Sequence, residues 1–400
     1  MHCAWEIQAG GVFGNDSGEE REGMRFSCLL LFVFSFCTTA PAATSDNAGA
    51  VHEWGTFTSV AGADGSATRW LPLSGPADLP CFVHRLDQRN VKLAFGRVRM
   101  ETPVLYFYPL RPMSVSVHVD FPKGRVTEWY PQATSVQPLS SPKGWIEWKD
   151  VQVNHSGALL PKESTASRYY AARETTAWPV STGGENEKLL FYRGIGDFDV
   201  DLKPLVQSDG MVIHNDGPEA IPTAIVFENH EGKIGYRILH RLSTPVTVPF
   251  SELNGGMDAL RKEMEQELVE MGLYQSEASA MLETWRDSWF EKGLRVIYIL
   301  PRSTADALLP ISIQPSPSQL SRVFVGRVEV LSPWMREEIS RALRSGDIDV
   351  LKSYGRFLNA FLQEMGGRSE EPPMCDRARQ FLRSSYASLE EESLKPACTQ

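Results

Sequence analysis

The sequence predicts a mainly β fold with α additions: antiparallel β-sandwich units, a helical hairpin and a helical C-terminal segment. Two observations predict this class. Residues before about 250 alternate between apolar and polar side chains with period two, as in Val115–Phe121, and Gly and Pro interrupt them at short intervals. After residue 251 the apolar spacing changes to three and four, as in Met257–Met271, which indicates amphipathic helices.

The N-terminal region carries an export pattern. Residues 24–42 contain an early arginine, an uncharged apolar run and a small-residue cleavage motif, so we expect a signal peptide that is cleaved near Ala42-Ala43. The apolar run is shorter than the ~20 residues of a membrane-spanning helix. We interpret the polar residues 1–23 as a mis-assigned leader, with translation starting at Met24. The alternative is a cytoplasmic protein with an apolar N-terminal strand.

Composition excludes one class of partner. The chain has a formal net charge of −10, which argues against a generally basic protein that coats nucleic acid. No later window is long and apolar enough for a transmembrane segment, so we expect a soluble, periplasmic or secreted mature chain, whose oligomeric state its sequence leaves open.

Three cysteines follow the signal peptide: Cys81, Cys375 and Cys398. Export permits disulfide bonds. A bond between Cys375 and Cys398 would close a C-terminal segment and leave Cys81 unpaired, but the pairing stays open.

The β region is expected over residues 43–250, as one or two sandwich units. It begins with the strand VHEWGTFTSV at Val51–Val60. Val115–Phe121 leads through a short turn into Arg125–Tyr130, which predicts a β-hairpin. A second hairpin is expected from Ile221–Glu228 to Lys233–Leu242, with its turn at Glu231-Gly232. Further strands are expected at Arg99–Tyr108, Trp145–Val153 and Leu189–Tyr192.

Helices follow. Residues 251–293 predict an αα-hairpin, whose first helix ends at Gly272 and whose second is capped by Ser276. Residues 294–332 read as strands that return to the sheet region. Residues 333–400 read as a helical C-terminal segment, with helices at 334–345, 347–365 and 374–391.

One hypothesis is a divalent metal site. His52 and Glu53 are adjacent, His84 is the nearest histidine, and Glu101 lies on the next expected strand, a ligand set of the type that zinc takes. Neighbouring strand residues point to opposite faces, however, so His52 and Glu53 reach one site only at a bulge. In the structural alternative His52 ends a strand and Glu53 pairs with an arginine.

A second hypothesis is ligand binding. Arg97, Arg99 and Glu101 share one face of an expected strand, and a cleft lined by them would attract a carboxylate or a sugar. A solvated outer face explains the same row. Trp129, Trp145 and Trp148 crowd one region and would form a platform for sugar rings if they were exposed together. Tryptophans in sandwiches are more often core residues.

Several motifs together resemble a family of predicted exported bacterial proteins that carry an HEWGTFT motif. The matching segments span most of the mature chain: His52–Val60, Asp64-Gly65, Trp70–Leu73, Arg99–Tyr108 and Arg322–Arg327. The resemblance implies export, and it transfers no catalytic residue.

Two function classes remain. The first is a binding or structural protein of the bacterial envelope, whose partner would be a glycan or another envelope component. The second is an exported hydrolase, either metal-dependent or directed at glycans. The sequence contains none of the standard hydrolase, nucleotide-binding or zinc-protease motifs, which favours the first class.

Overall fold

A nine-stranded mixed sheet forms the centre of the fold in this computed structural model. The structure describes residues 49–74, 79–86, 95–138, 140–141, 143–155, 159–163, 167–368, 376–378, 380–381 and 383–384. The expected leader, signal peptide and cleavage site lie outside these residues. So do Cys375, Cys398 and most of the helix expected over 374–391.

Strands are numbered along the chain. From one edge to the other, the large sheet contains β14 (Lys233–Leu242), β13 (Ile221–His230), β16 (Gly293–Ile299), β18 (Gln319–Val330), β1 (Ala50–Val60), β3 (Val98–Tyr108), β10 (Leu190–Gly196), β5 (Gly124–Tyr130) and β2 (His84–Arg85). Strand β1 runs parallel to β18, and the other pairs in this sheet are antiparallel.

Two smaller sheets accompany it. One contains β17 (Ile311–Gln314), β4 (Met113–Phe121), β7 (Gly144–Val153), β8 (Val180–Thr182) and β9 (Glu185–Glu187), and β6 (Ser135–Val136) also pairs with β7. The other contains β11 (Leu202–Val206), β12 (Gly210–Asn215) and β15 (Val246–Pro249).

The described helices lie mainly in the second half of the chain. They are α1 (Met257–Glu270), α2 (Gln275–Trp289), α3 (Arg302–Leu308), α4 (Pro333–Ser345), α5 (Ile348–Lys352) and α6 (Leu358–Arg368), with short 3-10 helices at Arg168–Arg173, Phe250–Glu252 and Gly355–Phe357. None of these helices is long and apolar enough to cross a membrane.

Apolar layers cover both faces of the large sheet. On one face, Leu260 and Met264 of α1 and Trp285 of α2 join a cluster that includes Trp54 of β1. On the other face, Phe57 of β1 belongs to a cluster shared with the two smaller sheets and the C-terminal helices. Burial on both faces explains why β1 is buried along almost its whole length. The predicted fold class, mainly β with helices, is confirmed.

The two hairpin predictions had different outcomes. The β13–β14 hairpin is confirmed, and both turn residues adopt positive φ, 53° at Glu231 and 79° at Gly232, as a two-residue hairpin turn requires. The expected hairpin between Val115–Phe121 and Arg125–Tyr130 is wrong. Strand β4 pairs with β7 and β17, whereas β5 pairs with β10 and β2. The short turn moves the chain from one sheet to another, because strand alternation does not specify the partner.

Helix boundaries also differ in detail from those expected. Ser276 does not cap α2; the N-cap is Tyr274, whose backbone N–H donates to the Glu277 carboxylate at 2.7 Å. The helix expected over 347–365 is interrupted at Gly355, which has a φ of 52° that a helix interior excludes.

Cys81 is disulfide-bonded, so of the pairings that the sequence leaves open, those in which Cys81 is unpaired do not hold. Every other cysteine lies outside the described residues.

Candidate functional site

His52 and Glu53 occupy opposite faces of β1 and serve different contacts. The His52 Nδ1 atom lies 2.7 Å from a Glu277 carboxylate oxygen of α2, with both side chains fully buried. Glu53 accepts hydrogen bonds from Arg322 and Tyr192 on the opposite side. Regular strand alternation therefore separates the two members of the HEWGTFT motif that were candidates for one metal site.

The other candidate metal ligands also have partners of their own. The His84 Nε2 atom lies 2.9 Å from a Glu185 carboxylate oxygen, and Glu101 is bound to Arg356. Among the described residues, no group of three His, Cys, Asp or Glu side chains is placed to hold a metal ion. The structure therefore does not bring His52, Glu53, His84 and Glu101 together as the metal hypothesis requires.

The tryptophans do not form a common exposed platform. Trp129 and Trp148 are buried, and the Trp148 indole donates to the Pro131 carbonyl at 3.0 Å. Trp145 is half-buried and stacks with His118 at 5.9 Å between ring centroids. Trp145 and Trp148 point to opposite faces of β7, and Trp129 belongs to another sheet, so their closeness in sequence does not make one surface.

The charged residues Arg97, Arg99 and Glu101, which the sequence placed on one strand face, also have different surroundings. Arg97 precedes β3, is more than one-third exposed and lies 3.4 Å from Asp197. Arg99 and Glu101 lie within β3 and are buried. These two residues, unlike Arg97, line a cavity between the large sheet and the end of α2.

The cavity has a volume of about 230 Å³. Besides Glu101 and Arg99 from β3, its polar lining comes from the end of α2, from the 3-10 helix Arg168–Arg173 and from the segment before α6. These polar residues are Arg168, Asp287, Ser288, Glu291 and Arg356, and the aromatic lining residues are Trp285, Tyr354 and Phe357.

Glu101 forms the ionised floor of the cavity. Its two carboxylate oxygens accept from Arg356 at 2.7 and 3.1 Å, and one also accepts from the Thr58 hydroxyl at 2.7 Å. Arg99 lies 3.5 Å away. Burial opposes ionisation of Glu101, but the positive charges of Arg356 and Arg99 outweigh it and hold its pKa well below the usual range.

A second ionic network lies beside this floor. Glu329 accepts from Arg295 at 2.7 Å and from Arg327 at 2.6 Å. Arg327 also donates to Ser288 and Glu291, which line the cavity. The Arg327 and Arg356 guanidinium groups each lie about 5 Å from the Phe357 ring centre, so this ring connects the two networks.

Irregular strand pairing shapes the sheet beneath the cavity. The register between β1 and β3 shifts at Gly55, opposite Thr102 and Pro103, and β10 has register shifts next to Arg193. Thr102 has a φ of 45°, a strained conformation for a β-branched residue. A Cβ at Gly55 would come within 2.8 Å of the Phe324 ring. Bulges of this kind redirect side chains and are common beside functional sites.

Arginines and carboxylates meet at the cavity. Three of each line it: Arg99, Arg168 and Arg356, with Glu101, Asp287 and Glu291. Arg327 lies behind this lining, where it donates to Ser288 and Glu291. Arg168 is exposed at the cavity mouth and has no ion pair or hydrogen bond with any described residue. It is therefore available to an anionic group from solution.

Sequence reasoning found two lining residues, Arg99 and Glu101, and missed the others. One signal in the sequence indicates the ionic network beside the cavity: Arg295, Arg327 and Glu329 are charged residues within largely apolar strands. Ser288 likewise lies on the buried side of α2, between Trp285 and Trp289. Arg356 lies 255 positions from Glu101, and no local pattern connects them.

No protein-family model matches the chain, and no curated protein matches it either. The site is therefore interpreted from its own geometry and charge.

Proposed function

We propose that this protein binds a small anionic ligand in the cavity above Glu101 and Arg99, and that it does so outside the cytoplasm as a binding protein of the bacterial envelope. The observation that carries the proposal is the convergence of Arg99, Arg168 and Arg356 on one cavity, together with the exposure of Arg168, which has no ion pair with any described residue. Guanidinium groups bind carboxylate and phosphate oxygens through paired, charge-assisted hydrogen bonds.

The arrangement supports binding because its cations are already fixed. Arg356 is anchored by Glu101, and Arg327 is anchored by Glu329, so neither side chain has to be ordered when a ligand arrives. Fixed donors reduce the entropy cost of association. In the absence of ligand, the free energy of folding offsets the unfavourable free energy of holding these charges together.

The hydrolase alternative has weaker support at this cavity. A general acid needs a carboxyl group that is protonated near the working pH. Glu101 has the opposite property, because the neighbouring arginines lower its pKa and keep it ionised. This carboxylate can orient donors, but it has no proton to give to a leaving group.

Three observations support export. The pattern of residues 24–42 is that of a signal peptide, and the HEWGTFT resemblance implies the same destination. Cys81 is disulfide-bonded, and stable disulfides are typical of exported proteins and rare in the cytosol.

Thermal unfolding of residues 43–400 with a panel of small anions tests the binding proposal. We expect at least one carboxylate or phosphate to raise the unfolding temperature, since a ligand at 100 times its Kd stabilises the folded state by about 2.7 kcal/mol. Arg168→Gln should weaken this ligand roughly tenfold, which is ~1.4 kcal/mol. The matched control is Arg341→Gln, because Arg341 is an exposed arginine of α4 that does not line the cavity.

The control also separates binding from general salt effects. Anions such as sulfate stabilise many proteins by exclusion from the surface. Equal stabilisation of the wild type, Arg168→Gln and Arg341→Gln would therefore contradict a site at this cavity, and so would a panel in which no anion stabilises the protein more than neutral glucose does.

A further inference from the structure

The cavity lining is mixed in charge, and this mixture narrows the class of ligand. Its lining residues include as many arginines as carboxylates: Arg99, Arg168 and Arg356 against Glu101, Asp287 and Glu291. A dianionic phosphate would meet the three arginines but also the carboxylates of Asp287 and Glu291, whose charges are only in part offset by the ion pairs with Arg286 and Arg327. A single carboxylate on the ligand needs less positive charge, and the carboxylates of Asp287 and Glu291 are good acceptors for hydroxyl groups.

Trp285 adds an independent observation. It lines the cavity and is 4% exposed, yet its indole N–H has no hydrogen-bond acceptor among the described residues. A buried donor without an acceptor costs free energy, so a ligand that supplies an acceptor there gains affinity. Its aromatic ring also offers an apolar surface to the C–H face of a sugar ring.

The volume restricts the size of the ligand. Pockets for drug-sized ligands occupy about 300–1,000 Å³. This cavity, at about 230 Å³, is below that range and suits one six-membered ring better than a chain of several.

We infer that the ligand is a uronic acid, a sugar ring with a single carboxylate, either free or at the end of a glycan. This inference rests on the proposed function and refines it. The carboxylate would bind the arginine side of the cavity at Arg168, hydroxyl groups would donate to Asp287 and Glu291, and the ring would pack on Trp285. A neutral sugar would leave the arginine without an anionic partner, and a plain carboxylate would leave Asp287 and Glu291 without hydroxyl donors.

Isothermal titration of residues 43–400 with four probes tests the inference. The probes are D-glucuronate and D-galacturonate, D-glucose, which keeps the hydroxyl groups without the charge, and cyclohexanecarboxylate, which keeps the ring and charge without the hydroxyl groups. We expect one of the two uronates to bind at least ~10-fold more tightly than glucose and cyclohexanecarboxylate, because each alternative leaves one set of polar groups unmatched.

The outcomes distinguish this inference from the proposed function. If cyclohexanecarboxylate binds as tightly as the uronates, or if glucose 6-phosphate binds while both uronates fail, the uronate inference is overturned and anion binding stands. If glucose binds as tightly as the tighter-binding uronate, or if no anion binds, both are overturned.

Two matched variants locate the site. Trp285→Phe removes the indole N–H of a cavity-lining residue and should weaken uronate binding roughly tenfold. Trp289→Phe makes the same change one turn along α2, in a fully buried tryptophan that stacks on Trp285 but does not line the cavity, and should change affinity less than ~2-fold. Equal losses in the two variants would overturn the placement of the ligand at Trp285. Should both fail to fold, the exposed Arg168→Gln variant gives the same test.

Discussion

At the scale of single residues, the cavity depends on how its buried charges are compensated. Glu101 is almost completely buried, and an isolated carboxylate there would cost several kcal/mol. Arg356, Arg99 and Thr58 compensate it through the contacts described above. The same contacts fix the position of Arg356 at the cavity. Structural and binding roles are therefore combined in one ion pair, and their effects have to be separated by experiment.

The lowered pKa of Glu101 predicts a pH dependence of stability. Since the folded-state pKa lies below the ordinary value of 4.5, the stabilisation is fully present above pH 4.5 and is lost as pH falls further, when the unfolded chain takes up the proton first. Glu101→Gln should lower the free energy of unfolding at pH 7 by roughly 3–5 kcal/mol. It should also make this free energy less dependent on pH between about 5 and 3. Urea unfolding across that range measures both quantities, and an unchanged acid dependence would contradict the assignment.

At the scale of elements, local patterns predicted where strands and helices lie better than they predicted what these elements pair with. The β13–β14 hairpin followed from Glu231-Gly232, because positive φ at both residues ties the two strands together. Strand β4 had an equally clear alternation, but its partners β7 and β17 are distant in sequence, and no residue near the turn after β4 specifies them. Strands β11, β12 and β15 lie within the β region expected over 43–250, but their individual positions were not predicted from the sequence.

The docking of the α1–α2 hairpin gives a prediction at this scale. The buried Glu277 carboxylate accepts from the Tyr274 N–H and the Tyr108 hydroxyl and contacts His52 Nδ1, each at 2.7 Å. Glu277→Ala removes all three contacts and should lower the free energy of unfolding by about 3 kcal/mol or more. The control is Glu283→Ala on the same helix. Because the Glu283 side chain is exposed, its removal should lower the free energy of unfolding by less than ~1 kcal/mol. Similar urea midpoints for the two variants would show that Glu277 does not hold the hairpin on the sheet.

At the scale of the whole molecule, the large sheet and the cavity both draw on the two halves of the chain. Strands β16 and β18 lie between β13 and β1, so the later part of the sequence fills the middle of a sheet that the earlier part begins. The cavity is assembled in the same way, with Arg99 and Glu101 from β3 and Arg356 from the segment before α6. Sequence periodicity indicated the two β3 residues, but the pairing that closes the cavity is long-range and was not predictable from local patterns.

This interleaving predicts that residues 43–250 do not fold alone, although their alternation reads as a complete β region. Without β16 and β18, strand β1 loses its parallel partner and the β13–β14 hairpin loses its attachment to the rest of the sheet. The apolar side chains of β1 and β13 would then face water. We expect the 43–250 fragment to show no cooperative urea transition by tryptophan fluorescence, and the 43–400 chain to show one. Co-expression of fragments 43–250 and 251–400 should restore a cooperative transition. A fragment 43–250 that unfolds cooperatively by itself, with a denaturant slope in proportion to its length, would instead mean that the first half is an independent domain to which the cavity-forming segments were added.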